Sequence, residues 1–382
     1  MLLKVHNFVC LKDVEIEIDD ITFIIGEQAS GKSLLCKLYF YFREIFSNIS
    51  FLNSIVDDID ISEYLKLAIK NFYDVFPKSI WEGQGFSAQL IIDEKMDIKI
   101  IYESQQDLKI ILSQYIIDDL EAIRRDFNKK MTEDIAQVLN SAFVFKDIVI
   151  EKNANSIFES VKYIPSGRAF FSTVADNVFG LLSEDMTIDP FLKNFGKQYE
   201  KAKRDKLDGV IQEIDDLTKF ILKGEVLIDK KDTWLVSQGV KRSLNYTSSG
   251  QQEALPLLLV LRHLMIRKPF WGTQSAIIEE PEAHLFPTSQ KAMIDLLFLV
   301  KKNSESKHFI VTTHSPYILS CANNALLRNP DIKVNAYYLV NGCIKRIIDD
   351  ESDLIDGIDL DAISDVIADE FDEIIQGKYK NG

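Results

Sequence analysis

The sequence predicts an α/β fold in which a mixed sheet forms the core and a large region of strands and helices is inserted. Three observations support this prediction. An apolar, β-branched run at residues 21–25 precedes a glycine-containing loop and then a helical pattern at residues 33–41. From Thr247 onward the pattern alternates helix, strand, helix, strand and helix, which is typical of α/β proteins. Between these halves, residues 49–239 contain further strand and helix patterns without an internal repeat.

The loop at residues 26–33, Gly-Glu-Gln-Ala-Ser-Gly-Lys-Ser, has the spacing of a phosphate-binding loop. Glycines let the backbone wrap around a phosphate chain with its N–H groups inward, and the following helix N-terminus favours negative charge. Lys32 is expected to reach the β- and γ-phosphates, and the Ser33 hydroxyl is expected to ligate Mg²⁺. The other expected nucleotide contacts of this loop are Gly26, Gln28, Ser30 and Gly31. The sequence therefore predicts a nucleoside triphosphate site.

The remaining elements are predicted from hydrophobic periodicity. In chain order they are strands at 2–8, 14–18 and 21–25, a helix to residue 46, a helix at 61–76, strands at 86–93, 96–102 and 108–113, helical stretches at 116–143 and 189–222, and strands at 226–230, 234–237 and 241–244. The charged stretch at 189–222 is a candidate for a projecting antiparallel arm. We expect residues 1–48 and 240–348 to form the core, residues 49–239 the inserted lobe and residues 349–382 an acidic tail.

The charge of the chain is concentrated near its end. The formal net charge is −15, and twelve acidic residues but no basic residue lie between residues 349 and 377. The rest of the chain is therefore nearly neutral, which neither indicates nor excludes a basic groove for DNA. Apolar residues at helical spacing interrupt the acidic tail, so an amphipathic helix is expected, docked on its own body or on a partner protein.

The composition excludes several classes. No apolar run approaches the length of a membrane span, and the N-terminus lacks the pattern of a signal peptide. The cysteines are scattered without a CxxC pair, so neither a zinc site nor a disulfide framework is indicated. We therefore expect a cytoplasmic protein with no membrane partner.

A second motif is the pair of carboxylates that ends the apolar run at residues 275–278. Ligands of parallel sheets sit beyond the carboxyl ends of the strands, where the phosphates would also lie. Glu279 is therefore expected to hold Mg²⁺ or its water, and Glu280 to polarise the attacking water as general base. The alternative is a solvated, glutamate-rich turn that caps a helix.

A third motif places His314 after a strand pattern at residues 308–313. It follows Glu280 by 34 residues, which allows one helix and a return strand. His314 is therefore expected on the neighbouring strand, where it would contact the γ-phosphate or orient the water. The alternative is a structural histidine.

A fourth motif, Ser248-Ser249-Gly250-Gln251, opens the helix that precedes the carboxylate pair. Taken alone it indicates only an N-cap with a polar first turn. Because it occurs together with the other three motifs, it resembles the signature turn of ABC-class ATPases. The resemblance implies that Ser248, Gly250 and Gln251 contribute to binding the nucleotide held by the opposite subunit.

Together these motifs resemble ABC-type ATPases of the RecF/SMC/OLD group, including ATPases of bacterial anti-phage defence. The resemblance implies a P-loop NTPase core of ABC ATPase type, ATP and Mg²⁺ as cofactors, and a head-to-tail dimer or larger homo-oligomer. Each site would combine the catalytic residues of one chain with Ser248 and Gly250 of the other. Residues 163–168 also resemble a strand-to-helix junction of these proteins, which makes Arg168 a candidate nucleotide or lobe-coupling residue.

One departure from the group concerns nuclease activity. OLD nucleases carry a C-terminal Toprim domain, and residues 315–382 are too few to form one. The resemblance therefore implies a slow ATPase that acts as sensor or scaffold for a separate effector, a nuclease or toxin, in anti-phage defence. The alternatives are a RecF/SMC-like ATPase of DNA repair or chromosome maintenance that binds DNA directly, and an assembly protein that binds nucleotide with little hydrolysis.

Overall fold

The computed structural model describes residues 1–47, 49–104, 106–133, 141–171, 189–205, 211–229, 232–269, 272–357, 368–372 and 374–375. The strands are β1 Leu2–Phe8, β2 Leu11–Glu17, β3 Ile21–Ile25, β4 Phe86–Ile91, β5 Asp97–Tyr102, β6 Lys109–Leu112, β7 Glu159–Ile164, β8 Glu225–Asp229, β9 Asp232–Ser237, β10 Val240–Ser243, β11 Thr273–Glu279, β12 Ser306–Thr313, β13 Val334–Val340 and β14 Cys343–Arg346. The helices are α1 Lys32–Ser47, α2 Ile49–Val56, α3 Ile61–Val75, α4 Gln114–Glu133, α5 Ser141–Glu151, α6 Pro190–Ala202, α7 Gln212–Leu222, α8 Ser249–Ile266, α9 Pro287–Asn303 and α10 Pro316–Arg328.

One large mixed sheet organises the described residues. Its eleven strands lie in the order β6-β5-β4-β1-β2-β14-β13-β3-β12-β11-β7. The strands from β13 to β7 in this order run parallel, whereas β1, β2, β4, β5 and β6 pair antiparallel. The predicted α/β fold with a mixed sheet is therefore confirmed.

Two hydrophobic cores cover the two faces of this sheet. In β3 every residue is buried, which explains its uninterrupted apolar pattern. Ile24 packs with α1 to α5 on one face, while its neighbours Phe23 and Ile25 pack with α6 to α10 on the other. The phosphate-loop motif thus follows a strand that is fixed from both sides.

The region between residues 49 and 239 contributes strands to both edges of the sheet. The trio β4, β5 and β6 extends it beyond β1, and β7 pairs in parallel with β11 at the opposite edge. Strands β8, β9 and β10 form a separate three-stranded sheet. The division into core, inserted lobe and tail stays a prediction.

The helical stretch at residues 189–222 packs against the core in its described parts. Asp189 caps α6 by accepting hydrogen bonds from the N–H groups of Phe191 and Leu192, and Pro190 occupies its first turn. The buried side chains of α6 and α7 include Phe195, Tyr199, Ile214, Ile221 and Leu222. These helices therefore lie on the core rather than projecting from it as an arm, although residues 206–210 lie outside the described residues.

The acidic tail falls mostly outside the described residues. Residues 358–367 and 376–382, which include most of its predicted apolar stripe, are not described. Of that stripe, Phe371 and Ile374 are exposed. The amphipathic helix stays a prediction. None of the helices in the described ranges is both long enough and apolar enough to span a bilayer.

Candidate functional site

Four neighbouring parallel strands carry the sequence motifs to one edge of the sheet. In the register of the sheet, Ile25 pairs with Thr313 and Thr312 pairs with Glu279. On the other side of β11, Ile278 pairs with Ile164, the last residue of β7. The phosphate loop, His314, the carboxylate pair and the loop that carries Arg168 therefore leave adjacent strand ends, and the prediction that His314 lies on the strand next to Glu280 is confirmed.

The phosphate loop has the tight backbone that its glycines allow. Gly31 adopts a φ of 105°, and a Cβ atom there would lie 2.8 Å from Leu11 Cδ2 and 2.9 Å from Cys10 Sγ. A side chain at this position would therefore collide with Cys10 and with Leu11, the first residue of β2. Helix α1 begins at the next residue, so its N-terminal N–H groups point toward the loop interior. In this loop Gln28 is exposed and Ser30 is half-buried.

Lys32 is a buried ammonium in the centre of the loop. Its Nζ donates hydrogen bonds of 2.7 Å to the carbonyl oxygens of Gly26 and Glu27. Burial lowers the pKa of Lys32, and the negative charge of Glu280 partly offsets that effect. The cation is thus held at the strand edge by loop carbonyls, facing the carboxylates of the next strands.

His314 joins Lys32 to Glu280. Its Nδ1 lies 3.4 Å from Lys32 Nζ, and its Nε2 lies 3.1 Å from Glu280 Oε1. An ammonium can only donate hydrogen bonds, so Nδ1 is the acceptor and Nε2 carries the hydrogen that is donated to the carboxylate. The predicted base, the predicted histidine and the loop lysine are therefore brought together in one chain of hydrogen bonds.

Glu280 has a strained backbone. Its φ is 44°, in the left-handed region that non-glycine residues rarely adopt. Its N–H donates to the carbonyl oxygen of Thr312 over 2.9 Å, and its own carbonyl oxygen accepts from Arg168 Nη2 over 2.9 Å. Such strain costs about 1–3 kcal/mol and occurs mainly at functional sites, where the surrounding structure imposes it.

Glu279 is a buried carboxylate with a defined orientation. Its Oε1 accepts a hydrogen bond of 2.7 Å from the Tyr163 hydroxyl, and its Oε2 accepts one of 3.2 Å from the N–H of Ser166. Burial and the charge of Glu279 raise the pKa of Tyr163 well above its ordinary value, so the phenol stays a donor to the carboxylate. Tyr163 is a functional neighbour that sequence reasoning did not assign, because it lies 116 residues from Glu279.

Glu282 is a further carboxylate at this edge, and sequence reasoning did not assign it. Its Oε1 accepts hydrogen bonds of 2.5 Å from the Thr313 hydroxyl and 2.9 Å from the N–H of His314. Within the described part of the chain, no group hydrogen-bonds its buried Oε2. Burial raises the pKa of Glu282, although the two accepted hydrogen bonds oppose that shift. The signal available in the sequence was its position two residues after the assigned pair.

The signature-like turn begins α8. Ser248 is exposed and forms a capping box with Gln251, whose side chain also donates to the carbonyl oxygen of Leu222 over 2.7 Å. A Cβ atom on Gly250 would lie 2.6 Å from the carbonyl oxygen of His284, so this turn touches the loop after the carboxylate pair. Gln251 therefore makes internal contacts, while Ser248 faces solvent at a helix N-terminus.

The residues present suit a nucleoside triphosphate with a magnesium ion. Ser33 is an exposed residue at the start of α1, and Glu279 is a buried carboxylate, oriented by Tyr163 and Ser166, at the end of β11. Mg²⁺ prefers few protein oxygens together with waters and substrate phosphates. The described ranges contain no group of three or more histidine, cysteine, aspartate or glutamate residues arranged to hold a metal.

Comparisons with known proteins identify one family. A family model described as AAA ATPase domain, AAA_15, matches residues 87–319. This segment includes the signature-like turn, the carboxylate pair and His314. The match confirms the predicted membership of an ATPase-domain family, whereas the OLD-like subtype stays a prediction. No curated protein matches the chain.

Several solved structures are similar in fold. The SMC head domain from Thermotoga maritima is 14% identical, with 91% of this chain and 97% of that chain covered and a TM-score of 0.44. An SMC head domain bound to the C-terminal domain of ScpA derived from Pyrococcus furiosus is 12% identical, covering 91% and 95% of the two chains with a TM-score of 0.40. The recombination mediator protein RecF is 13% identical, with 91% and 98% covered and a TM-score of 0.34.

Proposed function

The chain belongs to the AAA_15 family of AAA ATPase domains, and from this premise we propose that it is an ATP-driven dimerisation switch. Two copies would bind two ATP molecules head to tail, hydrolyse them slowly and thereby control a separate effector protein. The observation that carries the proposal is the hydrogen-bonded chain from Lys32 through His314 to Glu280, which sits where the triphosphate would end.

The roles of these residues follow from their geometry. Lys32 would neutralise phosphate charge, and Glu280 would accept a proton from the attacking water. His314 would hold the carboxylate of Glu280 in line through its Nε2–H. Ser33 and Glu279 would hold Mg²⁺, which supplies charge neutralisation of the phosphates when it is bound.

A second copy of this chain is supported by exposed aromatic residues beside three motifs. Tyr246 precedes the signature-like turn and is 83% exposed, and Phe286 follows the carboxylate loop and is 74% exposed. Tyr317, three residues after His314, is 59% exposed. Aromatic side chains are enriched in protein interfaces, and a surface that carries them around a nucleotide site suits closure by another subunit. Ser248, at an exposed helix N-terminus, would then face the γ-phosphate of the opposite subunit.

The most specific part of the proposal is that the effector acts in anti-phage defence. This part rests on the resemblance of the motifs. A nuclease or toxin on a second polypeptide would bind the dimer and respond to its nucleotide state. The cytoplasm, where ATP is abundant and thiols stay reduced, is the compartment that suits four scattered, unpaired cysteines.

Steady-state ATP hydrolysis and molar mass, measured on the full chain with ATP and Mg²⁺, test the proposal. We expect a low rate per chain that rises with protein concentration, and a doubled mass when ATP is present and hydrolysis is blocked. A molar mass that stays that of one chain in every nucleotide state would contradict the proposed dimer. Stimulation of hydrolysis by double-stranded DNA, with a steep dependence on salt, would instead indicate an ATPase that binds DNA directly.

A further inference from the structure

Arg168 is a fully buried cation that donates hydrogen bonds to backbone carbonyl oxygens at the sheet edge where Glu279 and Glu280 lie. It follows β7 and has no exposed surface. Its Nη1 donates hydrogen bonds of 2.7 Å to the carbonyl oxygens of Pro165 and Glu279, and its Nη2 donates one of 2.9 Å to the carbonyl oxygen of Glu280. Hydrogen bonds to backbone carbonyl oxygens, including those of the carboxylate pair, therefore account for the burial of the guanidinium.

Glu253, a residue of helix α8, hydrogen-bonds to the segment that contains Arg168. Its two carboxylate oxygens accept hydrogen bonds from the N–H groups of Arg168, over 2.9 Å, and Ala169, over 3.0 Å. The carbonyl oxygen of Glu253 also accepts from Arg168 Nε over 3.0 Å. Glu253 is buried and lies five residues after Ser248 on the same helix. At 3.6 residues per turn, Glu253 therefore lies about one and a half turns along the helix from Ser248.

From these contacts we propose that Arg168 and Glu253 are positioning residues that couple the signature-like turn of a chain to Glu280 of the same chain. The inference rests on the proposed ATPase function. Glu280 keeps a left-handed backbone because its N–H is held by β12 and its carbonyl oxygen by Arg168. When Ser248 and Gly250 bind the nucleotide of the opposite subunit, Glu253 on α8 sets the position of Arg168. Arg168 in turn sets the orientation of the Glu280 carboxylate.

This arrangement would link the two sites of a dimer. The signature-like turn would serve one nucleotide, whereas the Glu280 that it positions would serve the other. Packed and hydrogen-bonded groups can carry coupling of this kind between two sites, and the segment from Ser248 through Glu253 and Arg168 to Glu280 is such a set.

The test uses Glu253→Gln and Arg168→Lys in the full chain, with ATP and Mg²⁺ as the probe. The glutamine variant keeps the shape of the side chain but only one of its two acceptors, and the lysine variant keeps the charge but not the planar fork. We expect kcat per folded, nucleotide-bound chain to fall about 10- to 100-fold in each variant, as misplaced catalytic groups do. The dissociation constant for ATP should stay within about twofold, because both side chains are buried and hydrogen-bond to protein groups.

A buried ion pair at the other end of β7 supplies the matched control. Arg43 Nη2 lies 2.5 Å from Glu159 Oε2, and both side chains are fully buried. Glu159→Gln should destabilise the fold by breaking this pair, while kcat per folded chain stays within about twofold of the wild type. The double variant of Glu253 and Arg168 should lose no more than either single variant, since both act through one contact set.

Each outcome decides the inference. A lowered kcat with retained ATP affinity and ATP-dependent pairing supports it. An unchanged kcat in Glu253→Gln, or a loss that only follows the folded fraction as in Glu159→Gln, overturns it. Absence of hydrolysis in the wild type would instead reject the proposed function itself.

Discussion

His314 donates its Nε2–H to Glu280 Oε1 over 3.1 Å. The direction of this hydrogen bond is set by Lys32, whose Nζ lies 3.4 Å from the opposite ring nitrogen and can only donate. A carboxylate that accepts this hydrogen bond is held in one orientation, as a general base must be. The relationship therefore connects the phosphate loop to the residue that would activate water.

Glu280→Gln should abolish hydrolysis and preserve ATP binding. The amide keeps the size of the side chain but cannot accept a proton, so kcat should fall about 100- to 10,000-fold. Phosphate release measures the rate, and fluorescence of a labelled ATP analogue measures binding. Glu305→Gln is the control, because Glu305 forms a surface ion pair with Lys268 just before β12 begins, away from the motif edge. Equal loss of binding and rate in Glu280→Gln would contradict the assigned role.

Lys32→Ala should abolish ATP binding itself. The variant removes the buried ammonium that faces the carboxylates and the expected phosphates, and charged hydrogen bonds of this kind contribute about 1.5–3 kcal/mol each. Binding affinity should therefore fall at least about tenfold. Lys37→Ala, on the same helix but paired with Asp189 near the surface, should bind ATP normally. If Lys32→Ala keeps wild-type affinity, the phosphate-loop assignment is wrong.

Glu282→Gln should change the pH dependence of stability. Burial raises the pKa of Glu282 from its ordinary value of 4.5, so the folded chain keeps this proton to higher pH than the unfolded chain. Its contribution is therefore fully present below pH 4.5 and declines as pH rises through the folded pKa. The neutral amide removes this decline and can still accept from Thr313 and the N–H of His314.

Urea unfolding from about pH 4 to about pH 8 measures this effect. The difference in free energy of unfolding between Glu282→Gln and the wild type should shift in favour of the variant as pH rises. Parallel curves over the whole range would show that Glu282 is ionised without cost in the folded protein.

Gly250→Ala should separate ATP binding from pairing. A Cβ atom there would lie 2.6 Å from the carbonyl oxygen of His284, so the signature-like turn must shift. Binding to the phosphate loop of the same chain should be unchanged, whereas ATP-dependent association should weaken by about 2 kcal/mol, or about 30-fold. Gly85→Ala is the control, since its nearest added contact is at 3.5 Å. Analytical ultracentrifugation with ATP compares the two variants, and equal association would reject the role of the turn.

The sequence predicted most of what local pattern can specify. The phosphate loop, the carboxylate pair and His314 lie where strand ends and loop chemistry indicated, because buried strands and glycine loops have strong local signatures. The separation of 34 residues even predicted the neighbouring strand for His314.

Long-range pairing could not be predicted in this way. Arg168 and Glu253 lie 85 residues apart, and their contact depends on β7 joining the sheet beside β11. Nothing in the local pattern of β7 specifies which edge it occupies, since parallel strands take their order from tertiary packing. For the same reason the charged pattern at 189–222 also allows a projecting arm, whereas in its described parts the stretch buries apolar faces on the core.

The central claim is that each site is completed by a second copy of the chain, and mixing two defective variants tests it most directly. Lys32→Ala lacks the phosphate contact, and Gly250→Ala displaces the signature-like turn, so each variant alone should pair only weakly when ATP is present. A mixed pair would contain one complete site, formed by the intact loop of one chain and the intact turn of the other. With each variant prepared in both a donor-labelled and an acceptor-labelled form, we predict strong ATP-dependent energy transfer in the mixture of the two variants and little transfer when either variant is paired with itself. No transfer on mixing, although each variant is folded and Gly250→Ala still binds ATP, would contradict the composite site.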